Sequence, residues 1–307
     1  MADITAAAVK ALRELSGAGM MDCKTALVEA DGDTQAAMDL LRTKGLAAAA
    51  KKAGRTASEG LIGLKTEGTS GAMVEVNSET DFVALNDVFQ SFVGNVTAIT
   101  LDVEGDFETL KSKPFPGGER TVEEEATQMV ATIGENISLR RAAGLSVSKG
   151  LVADYVHNQV APGLGKIGVL VALESDAPAD KLAQIGRQLA MHICSTDPQS
   201  IDIGSVDAAA LEHERKILTD QARDSGRPDD IIAKMVEGRL RKYYEKTVLL
   251  EQTFVLDTDM KVGQAIEAAG KEAGADIKVA GFIRFNLGEG LERKEDDFAE
   301  EVARMAN

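Results

Sequence analysis

The chain has 307 residues, with 50 acidic against 34 basic side chains and a formal charge of -16. That length exceeds what one hydrophobic core usually serves, so two or more folded units are expected. The acidic balance argues against nucleic acid or an anionic membrane as partner, since phosphate surfaces reward Lys and Arg.

No apolar run reaches the ~18–20 residues of a membrane span, and Met1-Ala2-Asp3-Ile4 lacks the basic start of a secretion signal, so a soluble cytoplasmic protein is expected. Its two cysteines, Cys23 and Cys194, fall in different predicted units and are expected to stay reduced.

Thr5 can cap a first helix with apolar positions Ala8, Val9, Leu12 and Leu15, and Ile4 can pack on Val9 as a hydrophobic staple. Gly17-Ala18-Gly19 ends it. Asp22 is expected to cap a second short helix through Ala26 and Leu27, and Asp33 a third through Ala37, Met38, Leu40 and Leu41, stopped at Gly45. Residues 1–45 therefore read as a three-helix unit. Its core is small, and Met20 and Met21 can either plug it or stay exposed as adaptable contacts. Residues 46–58, rich in Ala, Lys and Gly without an apolar stripe, read as a partly helical linker.

A first α+β subdomain is expected over 59–146. Segments 59–66 and 71–77 flank Glu67-Gly68-Thr69-Ser70 as a hairpin, and Ala72, Val74 and Val76 alternate with Met73, Glu75 and Asn77 at the period of a strand. Beyond it, Leu85, Phe89, Phe92, Val96 and Ile99 recur at steps of four and three, which predicts an amphipathic helix with Asp87 placed to cap it. Thr80-Asp81-Phe82-Val83 is the corner between strand and helix. Spacing leaves two readings of Phe82: it can begin the buried helical stripe, or it can project from the corner as a probe for another protein. Lys113-Pro114-Phe115-Pro116-Gly117-Gly118 predicts a surface loop, and 136–145 a further strand.

The pattern returns over 147–307. Segments 151–159 and 166–174 flank a Pro162-Gly163 turn, Leu182, Ile185, Leu189 and Ile193 mark a helix, and 277–287 supplies the later strand. Gly71 and Gly168 hold corresponding places. The second corner, Ser175-Asp176-Ala177-Pro178, lacks the Phe-Val pair. The fold class is thus α+β, with duplicated subdomains whose helices pack on small antiparallel sheets. Within the second half, about 206–246 reads as an inserted helical hairpin turning at Ser225-Gly226-Arg227-Pro228-Asp229, with a sparse coiled-coil seam of Leu211, Ile217 and Leu218 against Ile231, Ile232, Met235 and Leu240. Residues 247–256 look strand-like, 262–269 helical, and Phe298, Val302 and Met305 define a closing helix.

Nothing in this pattern announces covalent chemistry. Gly163-Leu164-Gly165-Lys166 is the nearest approach to a phosphate cradle, but Ile167 stands where Ser or Thr is needed and a strand follows instead of a helix. His157, His192 and His213 are scattered, without the paired spacing of a helical zinc site. Glu79 and Asp81 could form a carboxylate pair, yet no nucleophile, metal ligand or oxyanion donor accompanies them. No metal or cofactor is expected.

Four motifs in order carry a resemblance: Gly17-Ala18-Gly19-Met20-Met21-Asp22-Cys23-Lys24, Val76-Asn77-Ser78-Glu79-Thr80-Asp81-Phe82-Val83-Ala84, Met235-Val236-Glu237-Gly238-Arg239 and Gly281-Phe282-Ile283-Arg284-Phe285. Together they resemble the elongation factor Ts family, exchange factors for the GTPase elongation factor Tu. The resemblance implies a nucleotide-exchange factor, not an enzyme. It implies that the N-terminal unit, similar to small ubiquitin-associated domains, docks on the GTPase, a role carried to Leu12, Met20 and Met21. It further implies that Thr80, Asp81, Phe82 and Val83 meet the partner, with Asp81 and Phe82 disturbing its magnesium and phosphate-binding loop, and that the helical hairpin protrudes. A dimer, or a heterotetramer with the partner, stays open.

Overall fold

Two hairpins of matching pattern set the architecture of the computed structural model, which describes residues 4–224 and 226–291. Strands β1 (Glu59–Glu67) and β2 (Ser70–Ser78) pair antiparallel, and β3 (Ser138–Ser146) joins the far edge of β2. In the second half β4 (Gly150–His157), β6 (Ile167–Ser175) and β7 (Ile277–Asn286) repeat that order, while the two-residue β5 (Leu164–Gly165) crosses to the free edge of β1. The repeat extends to irregularities: each third strand carries a bulge, opposite Glu75/Val76 in one sheet and Ala172/Leu173 in the other.

Because side chains alternate across a strand, each sheet offers two apolar faces. One face of the first sheet, with Leu61, Val74 and Val76, packs on α4 (Asp87–Asp102) and α6 (Val122–Ile133), beside the short α5 (Phe107–Ser112). The corresponding face of the second, with Val169, Val171 and Leu173, packs on α7 (Ala179–Thr196) and α10 (Val262–Ala273). The remaining faces meet each other through Ile62, Leu64, Met73, Val152, Leu170 and Phe285. The body is therefore helices, sheet, sheet, helices. Gly71 and Gly168 lie at this sheet-to-sheet contact, where a Cβ on Gly71 would come within 2.8 Å of Val152 Cγ1 and one on Gly168 within 2.8 Å of Ile62 Cγ2. Their matching places mark a close approach that any side chain would wedge apart.

The N-terminal unit comprises α1 (Ala6–Ser16), α2 (Met20–Glu29) and α3 (Thr34–Lys52) around Val9, Leu12, Cys23, Leu27 and Ala37, with Ile4 packed on that core. Thr5 and Asp33 cap as expected, accepting from the Ala8 and Ala36 N–H groups at 3.2 and 2.9 Å. Asp22 does not cap; α2 begins earlier, and Asp22 lies in its first turn. The expected break at Gly45 is also corrected, since α3 continues to Lys52 and supplies the helical part of the expected linker over 46–58. Gly45 is buried, and a Cβ there would lie 3.2 Å from Ala131 Cβ on α6, so this glycine lets two helices approach instead of ending one. The alanines after it, strong helix formers, carry the helix onward, and Ala49 packs against the first core.

The inserted hairpin is formed by α8 (Ala208–Arg223) and α9 (Asp229–Thr247), zipped by Leu218, Ala222, Ile232, Val236 and Leu240 into a seam separate from the body's cores. Residues 247–256 are not a strand. They make a single short 3-10 turn and isolated bridges to Ser200 and Lys261, and bury Leu249, Gln252 and Phe254 beneath α7 and α10. The expected closing helix at Phe298, Val302 and Met305 lies outside the described residues. Among the described residues no helix is long and apolar enough to cross a membrane.

Candidate functional site

Strand β2 ends at Ser78, and the chain must turn into α4 across Thr80-Asp81-Phe82-Val83. Several hydrogen bonds fix the turn. The Ser78 hydroxyl donates to the Thr80 carbonyl at 2.9 Å, and Glu135, just beyond α6, accepts from both the Thr80 N–H (2.9 Å) and the Thr80 hydroxyl (2.7 Å). Glu79 accepts from the Asn136 N–H at 2.6 Å and pairs with Arg55 at 3.5 Å. A short 3-10 turn, Val83–Leu85, follows, and Asn86, one residue before the expected cap Asp87, accepts from the Val88 and Phe89 N–H groups.

The four motif residues part company on this frame. Val83 is buried in the first core beside Phe89, so it anchors the corner and offers no surface; its expected partner contact is corrected by that burial. Thr80 is held by Glu135. Asp81 is exposed, and its carboxylate makes no hydrogen bond or ion pair with the described residues. Phe82 is 78 % exposed, with Leu85 (67 %) and Val88 continuing an apolar surface along the turn and into α4. Of the two readings that spacing left open for Phe82, the buried stripe is excluded: the stripe begins at Phe89, and Leu85, assigned to it from the sequence, faces outward.

Met20 and Met21 resolve the same way. They are 57 % and 70 % exposed at the start of α2, with Leu15 exposed on the neighbouring α1. Leu12, by contrast, is wholly buried in the three-helix core, so it supports that surface and cannot itself touch a partner without the unit opening.

Elsewhere, polar groups are placed for structure. Glu75 is fully buried between the sheets, where it accepts from Arg140 Nη1 (2.7 Å), Arg141 Nε (2.6 Å), Asn77 Nδ2 (3.1 Å) and the Gly288 N–H (2.8 Å). Burial alone would raise its pKa, but the Gly288 N–H, the two guanidinium groups and Asn77 together hold it below the ordinary value. His192 is buried against Phe254; Nδ1 accepts from the Val255 N–H at 3.3 Å, so Nε2 carries the proton and donates to Gln252 Oε1 at 2.8 Å. Desolvation lowers its pKa, outweighing the bond to Gln252. The Gly163-Leu164-Gly165-Lys166 run is the β5 crossing, with Lys166 paired to Glu59 at 2.8 Å, and presents no helix N-terminus to a phosphate. Among the described residues no group of three or more His, Cys, Asp or Glu side chains is placed to hold a metal ion.

Against known proteins, a profile of the family described as elongation factor TS matches residues 79–289, from the corner to the loop beyond β7. Relatives match over nearly their full length: elongation factor Ts of Rhodospirillum rubrum is 61 % identical over 99 % of this chain and 98 % of its own. Those of Rhodospirillum centenum and Parvibaculum lavamentivorans are each 58 % identical over the whole of this chain and, respectively, 100 % and 99 % of their own. The chain belongs to the elongation factor Ts family. Within that family assignment, the residues that sequence reasoning missed at the corner are Glu135, Leu85 and Val88. Leu85 has the spacing of the helical stripe although it faces outward, and Val88 falls between stripe positions and so carries no signal of its own. Glu135 carried no local signal, since it meets Thr80 across 55 residues of chain.

Proposed function

We propose that this chain is a guanine-nucleotide exchange factor for elongation factor Tu, and that Asp81 and Phe82, held on the corner by Thr80 and Val83, act at the GTPase's magnesium and phosphate site while Met20 and Met21 dock the N-terminal unit. The observation that carries the reading is Phe82: a large aromatic side chain held almost fully in solvent on a turn that is itself tied down. Exposing such a ring gains nothing in the free protein, whereas inserting its exposed surface into a partner would release ~1.2–2.3 kcal/mol of apolar transfer free energy. Asp81 beside it brings an unpaired negative charge. Placed near a nucleotide site, that charge would oppose the phosphates and compete for their magnesium.

Exchange of this kind is linkage, not bond chemistry. A factor that favours the empty GTPase weakens GDP, and GDP weakens the factor by the same free energy. Weakening GDP ~10⁴-fold takes about 5.5 kcal/mol of differential affinity, more than one aromatic contact supplies, so docking by the N-terminal unit and the second subdomain must share it. The test is release of labelled GDP from loaded elongation factor Tu. Acceleration by catalytic amounts of this protein is the expected result; binding without acceleration would make it an adaptor and refute the proposal.

A further inference from the structure

We propose that Glu135 is a positioning residue for exchange: it fixes the direction in which Asp81 and Phe82 project, a role that rests on the exchange reading above.

The turn from β2 to α4 has few other restraints at its tip. Asp81 and Phe82 are exposed and make no side-chain hydrogen bond with the described residues, so their direction is set by the backbone on either side. Downstream that backbone is anchored by Val83 in the core. Upstream, the contact from outside the hairpin that reaches Thr80 is Glu135, whose two carboxylate oxygens take the Thr80 N–H and hydroxyl separately, a bidentate grip on one residue.

The grip is useful because Glu135 itself cannot wander. It lies between Gly134, the left-handed cap that closes α6, and Asn136, which is buried as the chain approaches β3. The neighbours reinforce it from both sides: the Asn136 N–H donates to Glu79, Asn136 Nδ2 donates to the Arg55 carbonyl at 2.8 Å, and Lys52 at the end of α3 donates to the Gly134 carbonyl at 2.6 Å. Residues 134–136 thus form a bracket that holds the corner through Glu79 and Thr80 and holds the end of α3 through Lys52 and Arg55. The probe and the helix that carries the N-terminal docking unit are referred to the same three residues. A probe aimed in advance loses less conformational freedom on entering its partner, and misplacing it would reduce the exchange step more than the encounter.

The substitutions separate aim from fold. Glu135→Ala removes both acceptors. Glu135→Gln can keep both contacts, with its carbonyl oxygen accepting the Thr80 N–H and its amide donating to the Thr80 hydroxyl oxygen. With elongation factor Tu loaded with labelled GDP, Glu135→Ala should lower the maximal release rate about tenfold, leave the half-saturating factor concentration within about twofold and melt near the parent temperature. Glu135→Gln should recover most of the rate. Thr80→Val combined with Glu135→Ala should be no slower than Glu135→Ala alone, because both act on one contact. Glu135→Ala at the parent's maximal rate, while Phe82→Ala is slow in the same assay, would overturn the positioning role and leave the exchange reading standing. A Glu135→Gln protein as slow as Glu135→Ala would overturn it too. A parent protein that fails to accelerate release would overturn both.

Discussion

Replacing Phe82 by Ala sets the exposed corner against the buried core. A fully buried phenylalanine such as Phe89 costs ~3–5 kcal/mol when truncated. At ~2.1 cal/mol/K of unfolding entropy per residue, 307 residues give ~0.6 kcal/mol/K, so Phe89→Ala should lower Tm by about 5–8 °C if the body melts as one unit. Phe82 is 78 % exposed, so little more than a fifth of its surface is already out of water. Phe82→Ala should therefore cost no more than ~0.5 kcal/mol, a Tm change of about 1 °C. In exchange the order reverses. Burying the remaining surface of the ring in a partner is worth ~1.2–2.3 kcal/mol, about three quarters of full Phe burial, so release of labelled GDP should slow roughly 10- to 50-fold. Paired melting and stopped-flow measurements on both variants decide the matter. A Phe82→Ala protein that melts several degrees low, or that releases GDP at the parent rate, would refute the reasoning.

At the other end of the molecule, Met20→Ser with Met21→Ser should raise the factor concentration needed for half-maximal exchange about fivefold while leaving Tm unchanged, whereas Leu12→Ala should unfold the N-terminal unit at a cost of ~2–5 kcal/mol; titrated exchange rates and circular dichroism distinguish them. Glu75→Ala leaves Arg140, Arg141 and the Gly288 N–H facing an empty site and should cost about 2–4 kcal/mol in denaturant melts, somewhat below the usual loss for a broken buried pair because both arginines keep some solvent contact. Its lowered pKa makes that stabilisation present above the ordinary carboxylate value of 4.5 and lost as pH falls through the lower native one. For His192 the native pKa lies below the ordinary 6.5, so the unfolded chain binds the proton first. Stability should hold above pH 6.5 and fall below it by at most ~1.4 kcal/mol per pH unit, a fall that His192→Gln should flatten in melts between pH 7.5 and 5.5.

Period-two alternation made both hairpins legible, and the later strands followed from the same pattern because every strand of these sheets has apolar neighbours on at least one face. Capping side chains at Thr5 and Asp33 located two helix starts. Helix α6 was missed although Thr121-Val122-Glu123-Glu124 is a full capping box, with Thr121 and Glu124 bonded reciprocally, and Val122, Ala126, Met129 and Val130 form its stripe. Gly45 misled because a glycine that ends a helix and one that lets helices touch look alike in sequence; only the facing Ala131 tells them apart. Residues 247–256 misled because the apolar run Val248, Leu249 and Leu250 satisfies a strand pattern, while the fold uses it as an irregular crossing between α9 and α10. At the site, spacing leaves Phe82 open between the helical stripe and an outward projection, and its exposure accompanies the 3-10 turn, Val83–Leu85, that precedes α4.

The duplicated fold supplies an internal control for the site. The second corner, Ser175-Asp176-Ala177-Pro178, occupies the same place between the middle strand and its helix, so whatever the architecture alone demands of a corner should appear there too. It is a closed corner. Ser175 donates to the Asp276 carbonyl at 2.7 Å and accepts from the Ala177 N–H at 3.1 Å, the Asp176 carboxylate is paired with Lys149 at 2.8 Å, and the apolar side chain is a buried methyl group, Ala177. The first corner inverts each choice at its tip: the carboxylate of Asp81 is left unpaired and the apolar side chain is a large ring turned outward. Folding stability favours the closed arrangement because it keeps apolar surface out of water; the exposed Asp176–Lys149 pair adds little. The open corner leaves a large apolar ring in water with no return within the chain, and a partner that covered the ring would offset that cost. That asymmetry supports Asp81 and Phe82 as the partner-facing residues of the proposed function, on physical grounds separate from the motif's resemblance to any other protein.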